Sequence, residues 1–158
     1  MSSLYFALKF LHVVSATLLF GTGLGTAFQM WRAHQSGDVG AIAAVSRQVV
    51  WADFLFTMPA VIIQPATGLT LVRLAGFDFF SSWLVAGYCL YFLAGACWLP
   101  VVWIQIKVRD LASIAANGGA PLPSLYFRLM TWWFALGWPA FFAVLAIFWL
   151  MVAKPELW

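Results

Sequence analysis

Four apolar stretches, at about residues 4–31, 49–74, 83–106 and 127–153, dominate this chain and carry few charges. Each exceeds the ~20 residues that a helix needs to cross the ~30 Å hydrocarbon core of a bilayer. Lipid offers a peptide no hydrogen-bond partner, so each stretch must satisfy its own backbone as a helix. Charged residues make up only 8% of the chain, against about 25% in soluble domains, so a water-soluble fold is excluded. The first stretch is too long for the apolar region of a signal peptide and reads as a span.

The connections between the stretches set the topology. Residues 32–45 form a polar loop with Arg32, His34 and Asp38, and residues 75–82 a short connection with Gly76 and Asp78. Residues 107–125 hold Asn117, Gly118, Gly119, Pro121 and Pro123, the clearest turn signal in the chain. Pro59 and Pro65 each remove an amide donor from the second stretch and predict a kinked helix. No fixed repeat is visible. The expected fold is therefore all-α: a single transmembrane domain over residues 1–158, built as an antiparallel four-helix bundle with a Pro-kinked second helix.

Arg32, Arg47, Lys107, Arg109 and Arg128 cluster about the first and third connections. The second connection offers only Arg73, and in the tail Glu156 offsets Lys154. The positive-inside rule then places both termini outside. Trp31, Trp51, Trp103, Trp132 and Trp133 fall near the inner interface, and Trp83 and Trp149 near the outer one. The lipid bilayer is thus the first partner, and the net charge of +3 belongs to the loops, with no nucleic-acid footprint.

Lys9 and His12 stand out as ionisable groups inside the first stretch, three residues apart and on one helical face. Such groups at membrane depth read as functional by default. Ser15, Thr22, Gly23, Thr26 and Gln29 share their side. Gly21 and Gly25 lie nearly opposite, a spacing that permits close packing, as in a homodimer or a larger membrane complex. Counting inward from the outer ends at about 1.5 Å per residue puts His12, Gln64 and Tyr91 in one layer. Lys9, Thr67 and Tyr88 fall one turn nearer the surface. Together these six residues predict an outer-leaflet polar pocket, close to the carbonyls freed by Pro65.

An imidazole there can ligate the iron of a b-type haem, with the Lys9 ammonium neutralising a propionate. The same pair can hold a quinone oxygen, relay protons or bind an anionic headgroup. The structural alternative has Lys9 snorkelling outward and His12 bonded to a backbone carbonyl or to Gln64. The chain is then a non-catalytic membrane subunit or scaffold. Only one His lies within the membrane, so haem on His12 requires five-coordinate iron, a Met such as Met58, or His12 of a second subunit.

Asp53 enters the second stretch from the inner side and is expected to pair with Arg47, Arg128 or Gln29, with Gln105 in the same layer. His34 is expected to be solvated in its loop. Cys89 and Cys97, about 12 Å apart along a helix, cannot bridge within the chain. No Ser/His/Asp arrangement, phosphate-binding Gly loop or carboxylate pair is present, which argues against hydrolysis and phosphoryl transfer. The few intramembrane charges argue against an autonomous ion-coupled transporter.

Leu8-Lys9-Phe10-Leu11-His12-Val13-Val14, then Phe20-Gly21, and Trp98-Leu99-Pro100-Val101-Val102-Trp103-Ile104-Gln105 resemble a family of small bacterial integral membrane proteins of unassigned function. The likeness covers nearly the whole chain and implies the bacterial inner membrane. The opening phrase is also similar to the Lys-x-x-His start of HemJ-type protoporphyrinogen oxidases and CopD copper-resistance membrane proteins. The HemJ likeness implies a b-type haem on His12 and oxidation of a porphyrinogen. Where that family has Trp-Leu-His-x-Lys, this chain has Trp83-Leu84-Val85-Ala86-Gly87. The resemblance therefore carries fold and His12, not the oxidase activity.

Overall fold

The computed structural model describes residues 3–158, which form four long helices. They are α1 (Ser3–Ser36), α2 (Val39–Ala75), α3 (Ser82–Gly118) and α4 (Ser124–Ala153), each apolar and long enough to cross a membrane. They alternate in direction, so both termini and the α2–α3 connection share one end. The α1–α2 and α3–α4 turns share the other, called the loop end below.

The helices outrun the apolar stretches. α2 and α3 have 37 residues each, about 55 Å at 1.5 Å per residue, so they project past a ~30 Å hydrocarbon core. Most of the polar loop expected at 32–45 is helix, and the break is confined to Gly37 and Asp38. Gly37 takes a left-handed φ of 67°, which glycine tolerates. Asp38 then caps α2 through Oδ1, which accepts from the amides of Gly40 (2.8 Å) and Ala41 (3.2 Å). At the far end, α3 continues to Gly118 and stops where Gly119 enters the left-handed region. Hydropathy finds the lipid-embedded part of a helix, whereas caps decide where it ends.

Pro59 and Pro65 lie inside α2 without ending it. Pro59 cannot donate to Leu55, and the helix accommodates the defect by widening to a π segment at Asp53–Thr57. The Met58 amide there bonds to the Asp53 carbonyl, five residues back. Pro65 leaves the Val61 carbonyl without its helical donor. α3 and α4 likewise run through Pro100 and Pro139.

Packing is uneven along the bundle. At the loop end Ile42, Ala43 and Val49 of α2 meet Ile104, Val108 and Ala112 of α3, and Tyr126, Met130 and Trp133 of α4, in one core with Met30 of α1. At the termini end the core is the small group Val72, Trp83, Leu84 and Leu150. α1 follows α2, and α3 follows α4, along their lengths, but the part of α2 beyond Met58 does not pack closely along α3 or α4. Aromatic contacts help bridge the pairs there: Phe20 lies 5.6 Å from Phe141 and 5.4 Å from Phe148, centroid to centroid. The C-terminal tail also folds back. The Leu157 amide donates to Ser82 Oγ at 2.9 Å, and the Lys154 ammonium sits 4.4 Å from the Phe77 ring centroid.

Candidate functional site

His12 is half-buried where α1 crosses α2, and α2 grips it at both ends. A helix side chain leans toward the N-terminus of its helix while the carbonyl points the other way. The His12 imidazole therefore reaches one turn nearer the termini than its Cα level, and Nδ1 meets Thr67 Oγ1 at 2.8 Å. Its carbonyl accepts from Gln64 Nε2 at 2.9 Å and from Ser15 Oγ at 3.1 Å. Equal counting from the helix ends paired His12 with Gln64, and this lean explains why the ring meets Thr67 instead.

The tautomer follows from the Thr67 hydroxyl. Thr67 Oγ1 donates to the Ile63 carbonyl at 2.7 Å, with the Gln64 carbonyl at 3.2 Å. Its single proton being used, the hydroxyl accepts from His12, so Nδ1 carries the hydrogen and Nε2 presents a lone pair. Gly68 completes the seat. A Cβ built on it would lie 3.2 Å from His12 Cε1, so a side chain at this position would press on the ring. Sequence reasoning missed Gly68, although its place one turn past Gln64 on the same face was a usable signal.

Of the six predicted residues, the structure brings His12, Gln64 and Thr67 into direct contact. Tyr91 reaches the same helix from α3 and donates its hydroxyl to the Val61 carbonyl, the acceptor released by Pro65. Lys9 does not join them. It is exposed, with its ammonium 5.9 Å from the centroid of the Tyr5 ring one turn back on α1, because an ammonium at this depth extends toward the interface. Tyr88 is also elsewhere: it packs on the Val72, Trp83, Leu84 and Leu150 cluster, and its buried hydroxyl has no partner. Gly21 and Gly25 are exposed, with nothing within 4 Å of a built Cβ, so they are open rather than packed within the chain.

The loop end corrects two further expectations. Asp53 pairs with no Arg: Arg47, Arg128 and Gln29 are all exposed, whereas Asp53 is buried and accepts from Thr57 Oγ1 at 2.9 Å. The π segment holds it inside the bundle and the long basic side chains reach solvent. His34 is not a solvated loop residue, because α1 continues past it. Its Nδ1 lies 3.0 Å from the Tyr126 hydroxyl beside Phe127 and Phe134, at a cavity of about 360 Å³ that Ile42, Pro121 and Leu122 help to line. Gln105 does share the layer of Asp53, as expected, and Cys89 and Cys97 are both free.

Among the described residues no group of three His, Cys, Asp or Glu is placed to hold a metal ion. A match to the family described as "Predicted integral membrane protein (DUF2269)" runs over residues 6–155. The chain belongs to that family. No curated protein and no solved structure matches it. Membership agrees with the four apolar helices.

Proposed function

We propose that this is an inner-membrane protein that binds a b-type haem at the termini end of the bundle, where His12 Nε2 would hold it. One observation carries the reading: His12 Nδ1 lies 2.8 Å from Thr67 Oγ1, whose own proton has two helix carbonyls within reach, an arrangement that favours the Nδ1–H tautomer with Nε2 as the lone pair. Ligating imidazoles characteristically donate their other N–H to a fixed acceptor, which sets tautomer and ring orientation. Gly68 and Gln64 hold the same residue in place, and the part of α2 beyond Met58 does not pack closely along α3 or α4.

The residues present would supply one imidazole to such a group. The other His of the chain, His34, lies at the loop end, so His12 is the sole imidazole in this half. Lys9 and Arg73, both exposed near this end, are the cations for propionates. When bound, haem supplies one-electron chemistry, and the protein supplies the ligand, its orientation and a water-poor surround. A quinone carbonyl at the same place meets a lone pair rather than a donor, which favours haem of the two.

The open face of α1 favours a second reading, a non-catalytic subunit in which the His12 contacts simply fasten α1 to α2. Gly21 and Gly25 then receive a helix of a second copy or of a larger complex. In either reading the Arg and Lys side chains about the loop end support a cytoplasmic position for that end, with both termini outside. Titration of the purified protein with haemin decides between them. A Soret band that is lost in His12→Ala and perturbed in Thr67→Val supports the first reading, and a protein that stays colourless overturns it.

A further inference from the structure

Near the loop end, where α2, α3 and α4 meet, three helices bring polar atoms together without satisfying them. Asp53, Gln105 and Trp133 are 4%, 7% and 6% exposed. The Thr57 hydroxyl gives its one proton to Asp53 Oδ1, and the Gln105 side chain reaches the same carboxyl. Asp53 Oδ2, Gln105 Oε1 and Trp133 Nε1 remain buried with no partner. Orphaned buried groups of this kind call for an unseen occupant.

The carboxyl has no cation. Asp53 is the only charged residue between Arg47 and Arg73 on α2. The facing helices add none: α1 has no ionisable side chain between His12 and Arg32, α3 none between Cys97 and Lys107, and α4 none between Arg128 and Lys154. Arg47, Lys107 and Arg128 are exposed, and Arg109 is held by Asp110 at 2.7 Å. An ionised carboxylate buried alone costs several kcal/mol even after relaxation, so such a group takes up a proton instead.

In the structure the Gln105 amide faces the Asp53 carboxyl as a donor, and a half-turn of the amide exchanges its nitrogen and oxygen. We propose that Asp53 carries a proton on Oδ2 and that the Gln105 amide turns to present Oε1 to it, making this a proton-binding site enclosed by α2, α3 and α4. The Gln105 amide N–H2 then turns toward a cavity of about 10 Å³ that it lines with Ser46 and Trp133. That volume takes one water. Trp133, whose Nε1–H is unpartnered, and Ser46, which gives its own proton to the Ile42 carbonyl at 2.7 Å, share that wall.

Infrared spectroscopy of the full chain in lipid at about pH 7 tests this. The other acidic side chains, Asp38, Asp78, Asp110 and Glu156, lie at the surface. A protonated-carboxyl C=O band in the wild type therefore belongs to Asp53. It should move on transfer to D₂O, disappear in Asp53→Asn and shift in Gln105→Leu. Asp53→Asn should keep the wild-type unfolding midpoint, since an amide reproduces the donor. Carboxylate bands alone in the wild type would overturn the proposal, and so would an unfolding midpoint that rises specifically with sodium, which marks a cation site. Because the D₂O shift is read on the wild type, failure of a variant to fold leaves the test decisive.

Discussion

The two ends of the bundle are built from the same four helices and are held by different forces. At the loop end, the N-terminal part of α2 and the C-terminal part of α3 project beyond the apolar stretches, and their apolar faces close on one another and on α4. Water is present there, so burial of Ile42, Ala43, Val108 and Ala112 is driven by the hydrophobic effect. At the termini end the helices lie in lipid, which solvates Leu and Phe as well as another helix does. Association there rests on directed contacts: His12 with Thr67, Gln64 with the His12 carbonyl, Tyr91 with the Val61 carbonyl and Leu157 with Ser82. A tight end seals its polar atoms inside, and a loose end can admit a ligand.

That contrast is most directly broken at Tyr126, which is fully buried in the loop-end core. Tyr126→Ala should cost about 3–5 kcal/mol through the cavity it leaves. Phe92→Ala, at a position 75% exposed on the lipid face, should change stability by less than about 0.5 kcal/mol. Denaturant unfolding of both variants in detergent measures the difference, and equal losses would show that the two ends are not distinct.

Smaller effects sharpen the account of the loose end. A double-mutant cycle of His12→Ala and Thr67→Val should give a coupling of about 0.6–1.7 kcal/mol, the range of interhelical hydrogen bonds in membranes. A coupling near zero would remove the basis for the assigned tautomer. Gly25→Ala meets open space and should stabilise α1 by up to about 1 kcal/mol. If that face binds a second copy, the same change should weaken self-association in analytical ultracentrifugation.

The smallest change in stability is expected from Gly68→Ala. Helix propensity favours Ala by about 1 kcal/mol, and the new methyl would press on His12 Cε1 from 3.2 Å, so the two contributions offset. The imidazole itself should move, which the His12 NMR signals and any Soret band report while the unfolding midpoint stays put. An unmoved ring would mean that Gly68 does not shape the seat.

Much of this was legible in the residues. Four helices, their alternation, the Pro-interrupted second helix and, on the first, His12 as a polar anomaly all follow from local pattern, since lipid makes every spanning segment a helix. Lys9 and Tyr88 were misplaced because level on a helix was counted from Cα positions. Depth alone does not say whether a long ammonium turns outward, or which neighbour a phenol ring packs against. Asp53 was misread for a related reason: nearby Arg residues in sequence suggest an ion pair, yet Arg side chains prefer solvent when they can reach it.

By itself, then, the sequence determined that the chain is a membrane helix bundle and which side chains are costly to bury, because both depend on local hydrophobicity and chain length. Only the tertiary structure decided what those side chains meet. Whether His12 finds a hydroxyl, whether Gly68 leaves room for its ring, and whether Asp53 is left with Gln105 and no cation depend on the register and tilt of helices far apart in the chain. Register is set by packing over the whole bundle, tight where water drives it and loose where lipid does not.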